Sequence, residues 1–208
     1  MKILICDDHK IVRDGLRQIL QQLPEISLIE DAADGNEALI LLKKVNFDIL
    51  LLDISLPGTS GLEVLQSVKR KWPLINVLML SMHPQEAYAL RSFKYGASGY
   101  LTKDVASEEL LLAIKRVSTG RKYISESFAE NLSLNLGQDP SIEKHKLLSG
   151  REFEVMIKLA GGKSLQEIAD ELFISNKTVS TYRSRIMQKM ELHKNTDLTR
   201  YCLENKLI

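Results

Sequence analysis

The stretch DILLLDISLPG, residues 48–58, decides the fold. Its apolar centre, LLL at 50–52, has no polar alternation, as suits a strand covered on both faces in a parallel sheet. The run stops at Asp53, and Pro57 and Gly58 then shape a loop. Three other runs end alike: KILIC at Asp7 and Asp8, VLML at Ser81, and SGYLT at Lys103. Several strands thus finish in polar residues at one edge of a sheet, and the carboxyl edge is where open α/β sheets place their chemistry.

Outward from this stretch, from residue 2 to about 120, short β-branched and leucine-rich runs alternate with amphipathic stretches at helical spacing. The pattern predicts strands at 2–6, 26–30, 48–52, 75–80 and 98–101, helices in the intervals and a last helix opening near Ser107. A five-stranded, doubly wound parallel sheet follows. Between 123 and 144, Ser125, Ser127, Asn131, Asn135, Gly137, Asp139 and Pro140 interrupt a weak helical period. The division expected is a first domain at 1–121, a linker with one short helix at 122–145 and a second domain at 146–208.

The second domain shows only helical patterns. Ser149 with Glu152 forms a capping box, and Gly161 and Gly162 end that helix. Ser164 with Glu167 starts a shorter helix running to about Leu172. Ser175 caps a third helix running to about Met190, and Asn195 or Thr196 opens a fourth. A short helix, a short turn and a longer helix make a helix-turn-helix candidate.

A chain of 208 residues is comfortable for two small domains, and 44% hydrophobic residues suffice for two cores. The net charge of +1 excludes little, but from His145 onward there are 11 Lys and Arg against 8 Asp and Glu. Cys6 and Cys202 lie in different halves with no metal or redox spacing, so both read as reduced, buried thiols. The first apolar run meets Asp7 and Asp8 too soon for a signal peptide, and no later run could span a bilayer. The expected compartment is the cytoplasm, with no membrane partner.

Three carboxylates brought together repel one another unless a cation lies among them, and an all-oxygen site suits Mg²⁺. The Ser81 hydroxyl and Lys103 ammonium beside them suggest a phosphoryl group. Asp53 then reads as the nucleophile, with Asp8 beside it on Mg²⁺ and Asp7 acting through metal-bound water. His9 and His83 flank the site but read as loop surface, because hard oxygen ligands suit Mg²⁺ better.

In CDD, LLLDISLPG, MLS and LTKD the chain resembles the receiver domain of two-component response regulators. The resemblance implies a flavodoxin-like fold and transfer of a phosphoryl group from a sensor histidine kinase to Asp53. It implies that the metal site of Asp7, Asp8 and Asp53 is completed by the backbone carbonyl of Ser55. It also makes Ser81 and Tyr100 a switch: Ser81 turns to the phosphate and the Tyr100 ring fills the vacated space. Such a chain is not an enzyme in its own right; it assists Mg²⁺-dependent transfer to its own Asp and the later hydrolysis.

The stretch from Leu148 to Met190 resembles the LuxR-type, or GerE-like, helix-turn-helix domain of regulators in the NarL and FixJ group, with E-x-E-V, E-I-A-x-x-L, K-T-V and K-M at family spacing. Tyr182 stands where relatives usually carry His, a departure that puts one DNA-backbone contact in doubt. Turning about 100° per residue from Val179 puts Ile186 and Met190 on one core stripe, with Tyr182 and Arg183 at its edges. The opposite side gathers Lys177, Ser180, Thr181, Ser184, Arg185 and Gln188. From 175 to 190 there are four basic residues and no acidic one, a face suited to DNA. By the family pattern Ser180, Thr181 and Ser184 meet base edges, Lys177, Arg185 and Lys189 hold phosphates, and Thr178 lies on the same surface. Arg183, beside the core stripe, is expected to reach a phosphate or an internal carboxylate.

Leu198, Tyr201 and Cys202 share one side of the last helix, a stripe usually packed on its own domain; in the resembled family that helix pairs two output domains. The expected partners are promoter DNA, the kinase, RNA polymerase and a second copy, on phosphorylation or on DNA. Two rivals remain. A haloacid dehalogenase-type phosphohydrolase also uses an Asp nucleophile and Mg²⁺, but in a first-strand D-x-D motif that this chain lacks. A phosphorylation-independent receiver with a protein-binding second domain is the other, against which the acid-free basic helix argues.

Overall fold

The computed structural model describes residues 1–82, 85–105, 107–125, 129 and 144–208, with backbone only at 85–87. His83 and most of the expected linker, with its short helix, lie outside the described residues. Two compact units, Met1–Ala129 and Glu130–Ile208, make up the chain. No described helix is long and apolar enough to cross a membrane.

The first unit has five strands, β1 (Lys2–Cys6), β2 (Leu28–Ala32), β3 (Ile49–Asp53), β4 (Asn76–Ser81) and β5 (Gly99–Thr102). Five helices fill the intervals: α1 (Lys10–Leu20), α2 (Gly35–Lys44), α3 (Gly61–Lys71), α4 (Gln85–Lys94) and α5 (Ser107–Ser118). All strand pairs are parallel, in the order β2-β1-β3-β4-β5. This is the flavodoxin-like doubly wound arrangement. The winding reverses between β1 and β3, and a crevice opens beyond their carboxyl ends at such a switch point. Asp7 follows β1 and Asp53 ends β3, so topology alone brings them together.

One face of the sheet buries Ile3, Ile5, Ile49, Leu51, Leu78, Leu80 and Leu101 against Leu20 of α1 and Leu110, Ile114 and Val117 of α5. The other is covered by α2, α3 and α4, which bury Leu42, Leu62, Leu65, Val68 and Tyr88. At about 25 cal/mol per Å² of apolar surface, burial on both faces is the main force holding the sheet. It explains the unbroken LLL run, since no residue of β3 meets water.

Four strands run further toward their carboxyl ends than sequence predicts. β3, β4 and β5 are each displaced by one residue and β2 by two. A polar side chain ends an apolar pattern, but ladder bonds use only the backbone. Asp53 therefore still pairs with Leu80, and Ser81 with Thr102. At β2, Ser27 donates its N–H to Met1 O at 2.8 Å before the ladder begins, and Cys6 pairs with Ala32 at its far end.

In the second unit a 3₁₀ turn (Lys144–Leu147) precedes α6 (Gly150–Ala160), α7 (Leu165–Glu171), α8 (Asn176–Met190) and α9 (Asn195–Glu204). Both predicted capping boxes form: the Ser149 and Ser164 hydroxyls accept from the N–H of Glu152 and Glu167, whose carboxylates reach back. Each N-cap contributes about 1 kcal/mol. The α7–turn–α8 pair is the helix-turn-helix. Arg151 and Glu154, both buried, pair at 2.7 Å, and Arg151 also donates to the carbonyl of Leu172 at 3.0 Å, which ties α6 to the end of α7.

Both ends of the 122–145 stretch carry structure. Tyr123 forms a bridge with Gly99, is buried in the sheet's core and donates its hydroxyl to Glu109 at 2.8 Å. His145 is buried in the second unit, its Nδ1 3.0 Å from the Tyr201 hydroxyl. Aromatic burial outweighs the polar composition around each residue.

Candidate functional site

The carboxyl edge of the sheet gathers most of the residues singled out from the sequence. The Lys103 ammonium lies 2.7 Å from Asp53 Oδ2 and 2.6 Å from Asp7 Oδ2. Asp7, Asp8, Asp53 and His9 each bring a ligand atom, all within 4.8 Å of one another. Asp7 and Asp53 are buried, and the Lys103 side chain is only 9% exposed. Ser81 is also buried, and its carbonyl accepts from the N–H of Lys103 at 2.8 Å, so the ends of β4 and β5 hold these two residues side by side. The N–H of Ser55 donates to Asp53 Oδ1 at 3.2 Å, turning the loop after β3 onto the carboxylate.

Electrostatics in this pocket is tense. Burial pushes the Asp53 carboxyl above its ordinary range and Asp7 adds to the effect, while the Lys103 ammonium opposes it. Burial alone would lower the Lys103 ammonium, but Asp53 and Asp7 together hold it above its usual value. Among the described residues, Lys103 pairs with two of the three clustered carboxylates, those of Asp7 and Asp53. Asp7 Oδ2 and Asp8 Oδ1 are buried without an aligned hydrogen bond, even though Lys103 stands near the first and His9 Nδ1 lies 2.7 Å from the second. Buried carboxylate oxygens in that state fit a hard divalent cation such as Mg²⁺. His9 is mostly exposed and serves as an exposed partner of Asp8.

Tyr100, on β5, pairs with Met79 of β4 and is 2% exposed. Its ring is fully inside, because α4 packs over β5. Two contributors escape sequence reading. A Cβ at Gly61 would lie 1.9 Å from the Asp53 carbonyl oxygen, so only glycine lets α3 start this close to Asp53. Arg13 donates to the carbonyl of Asp7 at 2.8 Å. A cleft of about 810 Å³ lies toward the opposite, amino-terminal edge, lined by Phe47, Trp72 and Leu74 among others, and includes none of these groups.

On α8, Val179, Ile186 and Met190 are buried while Lys177, Ser180, Thr181, Ser184, Arg185 and Gln188 are exposed, the division helical geometry predicts. The Ser175 hydroxyl accepts from the N–H of Thr178 at 3.1 Å and lies 2.8 Å from the Thr178 hydroxyl, so Thr178 belongs to the cap. The hydroxyls of Thr181 and Ser184 donate to the carbonyls of Lys177 and Ser180. Lys189, expected to hold phosphate, is paired with Glu152 at 2.6 Å. The Nε of Arg183 donates to the Asn195 side-chain oxygen at 2.9 Å, at the start of α9.

Leu198 and Cys202 on the last helix are 0% exposed and pack in the domain's own core against α6, as a stripe of this kind usually does. Burial pushes the Cys202 thiol up to about 12, and burial raises that of Cys6 as well. Tyr201 is committed to His145. The exposed apolar side chain on α9 is Leu203.

A flavodoxin-like domain with a lysine-opposed acid pocket, followed by a helix-turn-helix unit, defines a two-part regulatory protein. Residues 3–115 match the response regulator receiver domain, and residues 146–202 match the bacterial regulatory proteins of the luxR family. The response regulator UvrY of Escherichia coli (strain K12) is 31% identical over 208 residues, covering 100% of this chain and 95% of that protein. The oxygen regulatory protein NreC of Staphylococcus carnosus (strain TM300) is 35% identical over 215 residues, covering 100% of this chain and 99% of that protein. RcsB from Salmonella enterica serovar Typhimurium, solved bound to promoter rprA with the phosphomimetic BeF3-, superposes with a TM-score of 0.66 at 26% identity, over 97% of this chain and 98% of that one. The chain belongs to the response regulators, as a receiver domain followed by a LuxR-family domain.

Proposed function

We propose that this response regulator is a phosphorylation-controlled transcription factor: Asp53 accepts a phosphoryl group from a sensor histidine kinase, and the altered receiver governs binding of α8 to promoter DNA. The observation that carries this is the Lys103 ammonium held 2.7 Å from Asp53 among the carboxylates of Asp7 and Asp8. The Asp53 carboxylate attacks phosphorus, forming an O–P bond as the N–P bond of the donor phosphohistidine breaks and the imidazole leaves. Lys103 and the Ser81 hydroxyl meet the equatorial oxygens as charge develops there. Asp7, Asp8, Asp53 and the Ser55 carbonyl would hold Mg²⁺, which when bound neutralises repulsion between acceptor and incoming phosphate. The protein thus assists transfer to its own Asp53 and the later hydrolysis. Ser81 and Tyr100, on β4 and β5, carry the change onward.

In the output domain, Ser180, Thr181 and Ser184 read base edges, while Lys177 and Arg185 hold phosphates. Thr178 secures the amino terminus of α8. Two-fold DNA half-sites favour a homodimer, and with Leu198 and Cys202 buried its surface falls to the outer side of α9 around Leu203. RNA polymerase is the further partner, and the cytoplasm the compartment.

Incubation with acetyl phosphate and Mg²⁺, followed by mapping of the adduct, tests the acceptor. Label is expected on Asp53 and absent from Asp53→Asn; a stable adduct elsewhere in the unmodified protein rejects the assignment. Selection of bound sequences from random DNA, with and without beryllofluoride, tests the output in the same protein.

A further inference from the structure

The acid pair follows β1 at the carboxyl edge of the sheet. Asp7 carries the last ladder bond of that edge, its N–H donating to Ala32 O at 3.2 Å, and its Oδ1 accepts from the N–H of His9 at 2.9 Å. Its carbonyl lies beyond the ladder and belongs to the peptide that joins Asp7 to Asp8. The orientation of that peptide sets where both carboxylates point. Arg13, in the first turn of α1, donates from one terminal nitrogen to this carbonyl at 2.8 Å. Its Nε donates to Asp31 Oδ2 at 3.1 Å, and the side chain is only 13% exposed. Asp31 sits on β2 opposite Ile5 of β1, and its other oxygen accepts from Arg17, which also donates to the carbonyl of Ile29 at 2.7 Å.

We infer that Arg13 is a positioning residue for the acid pocket: held by Asp31, which Arg17 holds in turn, it locks the Asp7–Asp8 peptide so that both carboxylates face one divalent cation. The guanidinium suits this task because its planar fork donates in two fixed directions, to a carboxylate and a carbonyl at once. An ammonium is a point donor on a flexible stem and cannot span both with the same geometry. The cost of leaving three carboxylates near one lysine falls on whatever holds them in place, and partners behind metal ligands typically control about 10–100-fold in metal affinity. Arg13 touches neither the phosphoryl group nor the cation. It acts through the backbone of a residue that does.

This inference rests on the phosphoryl-site reading, and the experiment separates the two. Mg²⁺ binding to the full chain is measured by calorimetry without a phosphoryl donor, for the unmodified protein, Arg13→Lys, Asp31→Asn and the double variant. The phosphorylation rate with acetyl phosphate is then followed across Mg²⁺ concentrations. Arg13→Lys is expected to weaken Mg²⁺ binding about tenfold, Asp31→Asn to weaken it less, and the double variant to match Arg13→Lys alone, because both act on one peptide. The Mg²⁺ needed for half-maximal phosphorylation rises by the same factor, while the rate at saturating Mg²⁺ stays within about twofold, since Asp53 and Lys103 are untouched. Mg²⁺ affinity within about twofold of the unmodified protein in both single variants overturns the inference. So does a loss of phosphorylation that no Mg²⁺ concentration restores, the signature of general damage to the fold; Asp31→Asn, which leaves Arg13 itself in place, guards against misfolding of the Arg13 variant. If the unmodified protein itself binds no Mg²⁺ and takes no phosphoryl group, the reading of the site fails and the inference falls with it.

Discussion

Asp53 and Ser81 are buried at the ends of central strands, where backbone ladders and neighbouring side chains fix them, whereas Ser180, Thr181 and Ser184 stand in solvent on α8. The first set must exclude water and hold charge in place before the reaction, as electrostatic catalysis requires. The second, as the proposed DNA-reading set, would meet a large, hydrated polyanion and needs only a rigid helix beneath it. Buried ion pairs follow the same division. In the receiver the Lys103–Asp53 contact lies in the proposed reaction site, while in the output domain the Arg151–Glu154 pair joins α6 to the end of α7. Loss of a group in the receiver should therefore change chemistry, and loss of a hidden group in the output domain should change stability.

The largest expected effect breaks chemistry alone. Asp53→Asn should remove all labelling by acetyl phosphate while leaving the unfolding transition of the output domain unmoved in a thermal melt. A shift there would mean that the two kinds of residue are less separate than burial implies.

Next comes Gly61→Ala. Because the added Cβ would lie 1.9 Å from the Asp53 carbonyl oxygen, α3 or β3 must move. Overpacking of this kind costs about 1–3 kcal/mol, and phosphorylation should slow as well. Urea denaturation and labelling rates measured together would show a joint loss; a loss of stability with an unchanged rate would detach α3 from the site.

On the other side of the comparison, Glu154→Ala strands the buried Arg151 and should destabilise the output domain by about 3–5 kcal/mol. Lys177→Ala should weaken binding to every DNA sequence and reduce the salt slope by about one unit. Thr181→Ala should keep the slope and lose about 1 kcal/mol of discrimination at one base pair. Equal, uniform losses for both across a panel of operator variants would erase the distinction between gripping and reading.

The smallest effect is a pH dependence. Burial tends to raise the Glu152 carboxyl, but Lys189 and Ser149 outweigh it and hold the group below the ordinary Glu range. A folded-state value below the unfolded one adds stability that is complete above the ordinary Glu range and is lost as pH falls through the lowered value. Lys189 is 41% exposed, so the contribution is at most about 1 kcal/mol. Lys189→Met should flatten this acid limb in denaturation series between neutral and acidic pH, with little change in the salt slope of DNA binding. A full unit of slope lost would return Lys189 to the phosphate-holding set.

The sequence by itself determined the parallel sheet, through the unbroken apolar runs at 50–52 and 77–80, and the convergence of Asp7, Asp53 and Lys103, because strand ends at a switch point meet wherever the loops lead. It determined the helix-turn-helix and its caps for the same kind of reason: hydroxyl at the N-cap, carboxylate three residues on and helical spacing between are all local. What it could not decide were groups whose role depends on a distant neighbour. Lys189 reads as a phosphate-holding cation until α6 brings Glu152 to it, and only the fold shows that α6 is what covers Leu198 and Cys202. Arg13 looks like an ordinary charge on an amphipathic helix; only the packing of α1 across β1 and β2 turns it toward the Asp7 carbonyl. Local patterns record what a residue prefers, and the tertiary fold decides which partner meets that preference, because burial and pairing depend on side chains far away in the chain.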